Sequence, residues 1–172
     1  MKRKVFLLVG MVLLFTMTTM AQKFALIDSE YILKNIPAYE MINEQLSQLS
    51  KKWQSEIDVV QEEAQNMFKS FQSDLVFLSA DLKSKREEAI VEKEQEAMEL
   101  KRKYFGPDGE LYQKRASLMN PIQDEIYNAV KEISADKGYD SVVDRASAMS
   151  IIYANPRIDI SNEVLVKLGY SR

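Results

Sequence analysis

The sequence predicts an α+β fold, mostly α, in which a long antiparallel helical hairpin, the arm, projects from a small β-rich head. Between Ala38 and Phe105 the chain runs for 68 residues without glycine or proline. Those residues destabilise a helix interior by about 1 and about 3 kcal/mol relative to alanine, so their absence permits very long helices. Short strand-type runs lie on both sides of this helical region. Because the strands at the two ends need each other as partners, the helical region must go out and come back.

The first 21 residues have the layout of a cleavable secretory signal peptide. Basic residues Lys2 to Lys4 precede an apolar run from Val5 to Phe15, and small residues then lead to Ala21. The apolar run is shorter than the roughly 20 residues that span a bilayer. We therefore expect cleavage after Ala21 and, in a Gram-negative organism, a periplasmic location. The sequence has no cysteine, which excludes disulfides and a lipid-modified N-terminal cysteine.

The chain that remains after this cleavage is acidic. The leader contains three of the 23 basic residues and none of the 26 acidic ones, so its removal leaves a net charge of −6. Nucleic acids and anionic lipids both attract proteins through Lys and Arg. The composition therefore argues against a nucleic-acid partner and favours at most a peripheral association with membranes.

Three short runs of strand type are expected in the head, at residues 24–28, 139–144 and 150–154. A sheet of three such strands is marginal alone and exposes its edges, so we expect the head to self-associate. The residues predicted to form this assembly surface are Phe24, Leu26, Ile27, Val142, Val143, Ile151, Ile152 and Tyr153.

Two short helices complete the predicted head. Residues 31–36 can form a helical turn before Pro37, which marks the entry to the arm. Near the C-terminus, Ser161 is positioned to cap a helix over residues 162–168, and Gly169 suits the end of that helix.

The outgoing leg of the arm carries apolar residues at alternating steps of three and four, the heptad spacing of helices that pack in a left-handed coil. The polar residues between them are those of a solvated face. We call this apolar stripe the seam. Its predicted members include Leu46, Leu49, Trp53, Ile57, Val60, Met67 and Phe71.

The return leg is less regular. Arg86 and Lys93 fall on the stripe, and its apolar members there are Leu82, Ala89, Ala97, Leu100 and Tyr104. A hairpin of equal legs would turn near residue 88, and the best local signal is Ser79, which can cap a new helix. We therefore expect the turn within 79–88. Residues 105–109 then break the helix, and it restarts and runs to Gly138, with Pro121 as a kink or a fresh helix start.

These elements divide the chain into three parts by sequence. Residues 1–21 are the signal peptide. Residues 22–38 and 138–172 together form the head, and residues 39–137 form the arm.

Residues for catalysis, cofactor binding and metal binding are not recognisable in the sequence. Histidine and cysteine are absent, which removes the usual nucleophile pairs and zinc ligands, and no Gly-rich phosphate loop is present. Asp28 and Asp144 end predicted strands, where a cap or turn is the simpler role. We therefore expect a protein that is not an enzyme and that uses no cofactor.

The order of elements resembles the Skp/OmpH family of periplasmic chaperones over essentially the whole mature chain. The residues that carry the resemblance are Phe24 to Asp28 with Pro37, Tyr139 to Asp144, and Asp159 to Leu165. The segment from Phe105 to Leu111 looks like a variant of the return helix in Bacteroidetes members. The resemblance implies a homotrimer whose arms enclose a cavity and hold unfolded outer-membrane proteins without ATP.

Apolar residues off the seam or at the arm's far end are candidates for contact with such clients: Phe68, Leu75, Val76, Phe77 and Leu78. Packing within the arm is the alternative role for these side chains. The alternative function is a structural or scaffolding coiled coil of the cell envelope without chaperone activity.

Overall fold

The computed structural model describes residues 22–147 and 151–170, so the predicted signal peptide lies outside the described residues. The architecture confirms the predicted fold class, because long helices extend from a small head that contains a two-stranded sheet. In chain order the elements are β1 (Phe24–Ile27), α1 (Ser29–Lys34), α2 (Pro37–Asp74), α3 (Ala80–Phe105), α4 (Glu110–Lys137), β2 (Ser141–Asp144), a 3₁₀ turn (Pro156–Ile158) and α5 (Ser161–Lys167).

The arm consists of α2 going out and α3 followed by α4 coming back. Helix α2 has 38 residues and is therefore about 57 Å long at 1.5 Å per residue. The outer half of α2 packs against α3, and its inner half packs against α4. Residues 75–79 connect α2 to α3 at the tip, and the hydroxyl of Ser79 accepts a hydrogen bond from the Leu82 N–H at 3.4 Å.

Helix α3 keeps most of the stripe that the sequence predicts, because every predicted position except Leu82 is buried or partly buried. Ile90, Ala97 and Tyr104 are its buried residues, whereas Leu82 is half exposed. Arg86 and Lys93 lie beside the buried stripe and extend to carboxylates of α2. Their long aliphatic stems can cover the seam while the charged ends remain in water, so the stripe tolerates them.

A tight turn at residues 106–109 separates α3 from α4. Gly109 is buried there, and a Cβ atom at this position would lie 2.8 Å from the carbonyl oxygen of Tyr104. Only glycine fits such a close approach of the backbone to itself. Helix α4 then continues through Pro121 without the predicted fresh start, and it ends at Gly138, whose φ of 67° is left-handed.

The head sheet has two parallel strands, with Phe24 of β1 opposite Ser141 of β2. The predicted third strand is wrong over residues 151–154, which form no strand, and Ser150 lies outside the described residues. The other edge of β1 is occupied instead by a single bridge between Leu26 and Asp159. The Ile160 N–H donates to the Leu26 carbonyl at 2.9 Å, which leaves no room for a neighbouring strand at that point.

The hydrophobic core of the head forms where α1, α4 and α5 meet the sheet. Its buried members are Ala25, Ile32, Ile36, Ile122, Ile126, Ala129, Ile133, Ile160, Val164 and Leu165. The predicted cap at Ser161 is wrong, because this residue is the first of α5 and is itself buried. Asp159 does the capping instead, since its carboxylate accepts from the Ser161 N–H at 2.9 Å.

Candidate functional site

The tip of the arm presents large apolar side chains to solvent. Val76 and Phe77 are 86% and 87% exposed, Leu75 is also exposed, and Leu78 is partly buried. The turn that carries them is fixed by the Phe77 N–H, which donates to the Asp74 carbonyl at 2.8 Å. The tip is therefore a defined structure with an apolar surface that none of the described residues covers.

A second apolar feature lies on one side of the outer arm, where α2 and α3 leave a groove of about 440 Å³. We call it the open groove. Phe68 of α2 is 46% exposed there, and Met98 of α3 is 62% exposed. The residues that line it are Gln61, Ala64, Gln65, Phe68, Glu94, Ala97 and Met98.

Met98 is a contact candidate that reading the sequence missed. It lies seven residues after Val91, which is also exposed, so both side chains project from the same face of α3. This spacing of two apolar residues, on a helix otherwise rich in Glu, Lys and Gln, could have identified Met98 from the sequence.

The predicted seam of α2 lies against the returning helices. Leu46, Trp53, Ile57 and Phe71 are buried, and Leu49, Val60 and Met67 are partly buried. These side chains hold the hairpin together, so they are not free to contact a partner. The exposed candidates Phe68, Val76 and Phe77 are separate from this packing.

An aromatic cluster joins the three helices of the arm where α3 ends and α4 begins. The rings of Trp53 and Tyr104 stack with centroids 4.7 Å apart, and Phe105 meets Trp53 edge-on at 6.5 Å. The Tyr104 hydroxyl donates to a carboxylate oxygen of Glu56 at 2.7 Å. This hydrogen bond, together with desolvation, raises the pKa of Tyr104, so the phenol stays protonated as a donor at neutral pH.

The predicted assembly surface of the head divides into buried, partly buried and exposed side chains. Leu26 of β1 is buried in the single chain, whereas Phe24, Val143, Ile152 and Tyr153 are exposed. Ile152 is fully exposed and Tyr153 is 80% exposed. The remaining members of the predicted set, Ile27, Val142 and Ile151, are partly buried. Four members of the predicted set are thus exposed apolar side chains that a second chain could cover.

A polar network stabilises the end of the sheet nearest α1. Arg145 donates to Asp28 at 3.0 Å and forms an ion pair with Asp159 at 3.3 Å. Asp28 also caps α1 by accepting from the Tyr31 N–H at 2.9 Å. These contacts tie β1, β2 and the approach to α5 together, which is a structural role for Asp28.

Asp144 has a matching role on β2. Its carboxylate accepts from the Ser29 hydroxyl at 2.6 Å, and from the backbone N–H groups of Ser29 and Ala146 at 3.0 Å. Burial raises the pKa of Asp144, but these hydrogen bonds outweigh it, and the net result is a pKa below the usual value.

The lowered pKa of Asp144 predicts how the head responds to acid. A carboxylate with a lowered folded-state pKa stabilises the fold above its unfolded value of about 3.9, and loses that effect as pH falls through the folded value. Asp144→Asn should therefore reduce the free energy of unfolding at pH 7, and by a smaller amount at pH 2. Urea unfolding followed by circular dichroism at both pH values measures this. Glu44→Gln, at an exposed position of α2, is the control, and an equal loss at both pH values would contradict the prediction.

The described residues contain no group of three or more acidic side chains arranged to hold a metal ion. Within the same ranges, no helix is both long enough and apolar enough to cross a membrane. The notable surfaces of the described chain are therefore apolar: the tip, the open groove and the exposed part of the head.

Comparison with known proteins places these features in a family context. Residues 23–168 match the family described as "Outer membrane protein (OmpH-like)". The match includes both ends of the head and the whole arm.

Two relatives and one solved structure are similar over most of the chain. The chaperone protein Skp of Yersinia enterocolitica is 27% identical over 156 residues, which is 91% of this chain and 92% of the relative. The chaperone protein Skp of Pectobacterium atrosepticum is 27% identical over 145 residues, 84% of each chain. The crystal structure of an OmpH-like protein of Caulobacter crescentus CB15 has a TM-score of 0.67 at 13% identity, covering 86% of this chain and 84% of that one. This last likeness concerns the fold alone.

Proposed function

The chain belongs to the OmpH-like family, and on that basis we propose that it binds unfolded outer-membrane proteins in the periplasm and prevents their aggregation without ATP. The family consists of chaperones and not enzymes. This agrees with a sequence that lacks histidine, cysteine and a phosphate-binding loop.

The observation that carries the proposal is the exposed apolar tip on an arm about 57 Å long. An outer-membrane β-barrel protein that has not yet folded exposes alternating apolar residues. A protein that holds such a chain needs apolar surface at a distance from its own core, where binding does not disturb its fold. Val76 and Phe77 provide this surface beyond the last turn of α2.

Assembly of the head would bring several arms together. The exposed side chains Phe24, Val143, Ile152 and Tyr153 support a homo-oligomer, because exposed apolar surface on a small head favours contact with another chain. We propose a homotrimer, as the resemblance to the Skp/OmpH family implies, with the arms around a shared cavity for the client.

The proposed location follows from the sequence and from the family. Residues 1–21 have the pattern of a signal peptide, and the net charge of −6 after its removal argues against tight binding to anionic lipid. We therefore propose a periplasmic protein whose association with membranes is at most peripheral.

The proposed function is tested by mixing the purified chain, residues 22–172, with an outer-membrane protein unfolded in urea. On dilution of the urea without nucleotide, we expect a several-fold molar excess of the chain to keep the client soluble, as measured by light scattering. Aggregation that proceeds unchanged in the presence of an intact oligomer would reject the proposal and favour a scaffolding role.

The tip makes a specific prediction within the same assay. Val76→Ser with Phe77→Ser should raise the concentration needed for half-maximal protection several-fold, because two exposed apolar contacts are lost. The oligomer and its thermal stability should not change, since both side chains are more than 85% exposed. Unchanged protection by the double variant would remove the tip from the client-binding surface.

A further inference from the structure

We propose that the open groove, on one side of the outer arm, is where an apolar side chain of an extended client segment binds. This inference rests on the proposed chaperone function and assigns that function to particular residues. The two sides of the α2–α3 hairpin differ in the polar contacts that join the two helices.

One side of the hairpin, which we call the tethered side, is bridged by polar contacts between the two helices, and a smaller groove of about 390 Å³ on this side is lined by Asn66, Met67, Ser70, Arg86, Ala89 and Ile90. Asp74 pairs with Arg86 at 2.6 Å, and Glu63 pairs with Lys93 at 3.1 Å. Hydrogen bonds from Lys93 to Glu96 and Glu63 raise the pKa of Lys93, so this ammonium remains charged at neutral pH.

The same side continues toward the head. Glu56 lies one heptad before Glu63 on α2, so it projects from the same face, and it accepts the hydrogen bond of Tyr104. The contacts of Glu56, Glu63 and Asp74 therefore bridge α2 and α3 at several points along one edge of the arm.

The open groove lies on the opposite edge and has no such contacts. Across it, within the part of the chain that the structure describes, no side-chain hydrogen bond or ion pair joins α2 to α3. Its floor is formed by the buried small side chains Ala64 and Ala97, and its walls are Phe68 and Met98. Small residues at the floor allow an external side chain to approach the helix backbones closely.

The chemistry of the groove fits an extended, unfolded segment. Phe68 supplies a rigid aromatic face, and Met98 supplies a flexible, polarizable side chain of the kind that adapts to different partners. The rim residues Gln61 and Gln65 carry amides that can both donate and accept, as the unpaired backbone of an extended segment requires. Glu94, the charged residue of the lining, complements a basic side chain next to the apolar one in the client.

Site-specific photo-crosslinking tests the assignment. Benzoylphenylalanine replaces Met98 in the open groove or, as the matched control, Asn66, which is exposed on the tethered side. Each variant oligomer is bound to a urea-unfolded outer-membrane protein, diluted and irradiated. We expect a covalent adduct with the client that is several-fold more abundant from position 98 than from position 66.

The outcomes separate this inference from the function on which it rests. Equal adduct yields from a complex that still protects the client would overturn the groove assignment and leave the chaperone function intact. Adducts between two copies of this chain, formed equally without client, would assign the groove to packing between arms and also overturn the proposal. Failure of the unmodified chain to protect the client would reject both.

A binding measurement provides an independent check on the same residues. Phe68→Gln with Met98→Gln should weaken the affinity for the unfolded client about tenfold. The matched control is Val59→Gln, which replaces a 53% exposed apolar residue on the tethered side and should leave the affinity within about twofold. Equal effects of the double variant and the control would contradict a groove-specific site.

Discussion

Trp53→Ala is expected to reduce the free energy of unfolding of the arm by about 3–5 kcal/mol, the range for removal of a buried aromatic side chain. Trp53 is 8% exposed and contacts both Tyr104 and Phe105. Its ring is thus the point at which α2 contacts the end of α3 near the turn to α4. Removing the ring leaves a cavity at this contact between α2 and the end of α3.

The measurement is urea unfolding at a fixed protein concentration, followed by circular dichroism at 222 nm. Val59→Ala, an exposed site six residues along α2, is the control and should change stability by less than about 0.5 kcal/mol. Tyr104→Phe keeps the stacked ring and removes only the hydrogen bond to Glu56, so it should cost about 1 kcal/mol. A Trp53→Ala variant as stable as the Val59→Ala control would show that the cluster does not hold the arm together.

The outgoing helix could be predicted closely because its apolar residues leave little choice. In α2 the spacing of Leu46, Trp53, Ile57 and Phe71 places all four residues on one face of the helix, and all four are buried. The caps at Ser79 and Gly138 could also be predicted from the sequence. The Ser79 side chain accepts a hydrogen bond at the start of α3, and Gly138 readily adopts the positive φ at the end of α4.

The stripe of α3 was predicted less completely, because it included the buried residues Ala97 and Tyr104 but not the buried Ile90. Ala89 and Ile90 are adjacent, and either can begin an apolar stripe on a helix with so few apolar residues. The choice depends on α2, because Ile90 is buried in the hairpin while Lys93 pairs with Glu63 beside it. Such a tertiary contact leaves no periodic signal in the sequence of α3 alone.

The strand predicted at residues 150–154 failed for a different reason. Ile151, Ile152 and Tyr153 have strong β propensity, but propensity alone does not determine pairing, and over its described residues 151–154 this segment pairs with neither strand. In the described residues, β1 has β2 on one edge and the Leu26–Asp159 bridge on the other. The side chains that favoured a strand are instead left on the surface, where Ile152 and Tyr153 become candidates for contact with another copy of the chain.

Ile152→Asp with Tyr153→Asp should convert the proposed oligomer into single chains. An unpaired charge that is buried at an interface costs about 3–5 kcal/mol, so even one of the two would weaken association about a thousandfold. Light scattering coupled to size-exclusion chromatography should show the wild type near three times the mass of one chain and the variant near one. The head core should be unaffected, because both side chains point away from it in the single chain.

Loss of assembly should also abolish protection of an unfolded client, because a single arm cannot enclose a chain that three arms share. Met41→Asp adds the same charge at an exposed apolar residue of α2, outside the proposed assembly surface, and should preserve both the mass and the protection. A double variant that remains oligomeric would place the assembly surface elsewhere on the head. A double variant that becomes a single chain and still protects the client would contradict the shared cavity, and would leave the tip and the open groove of one arm as a sufficient binding surface.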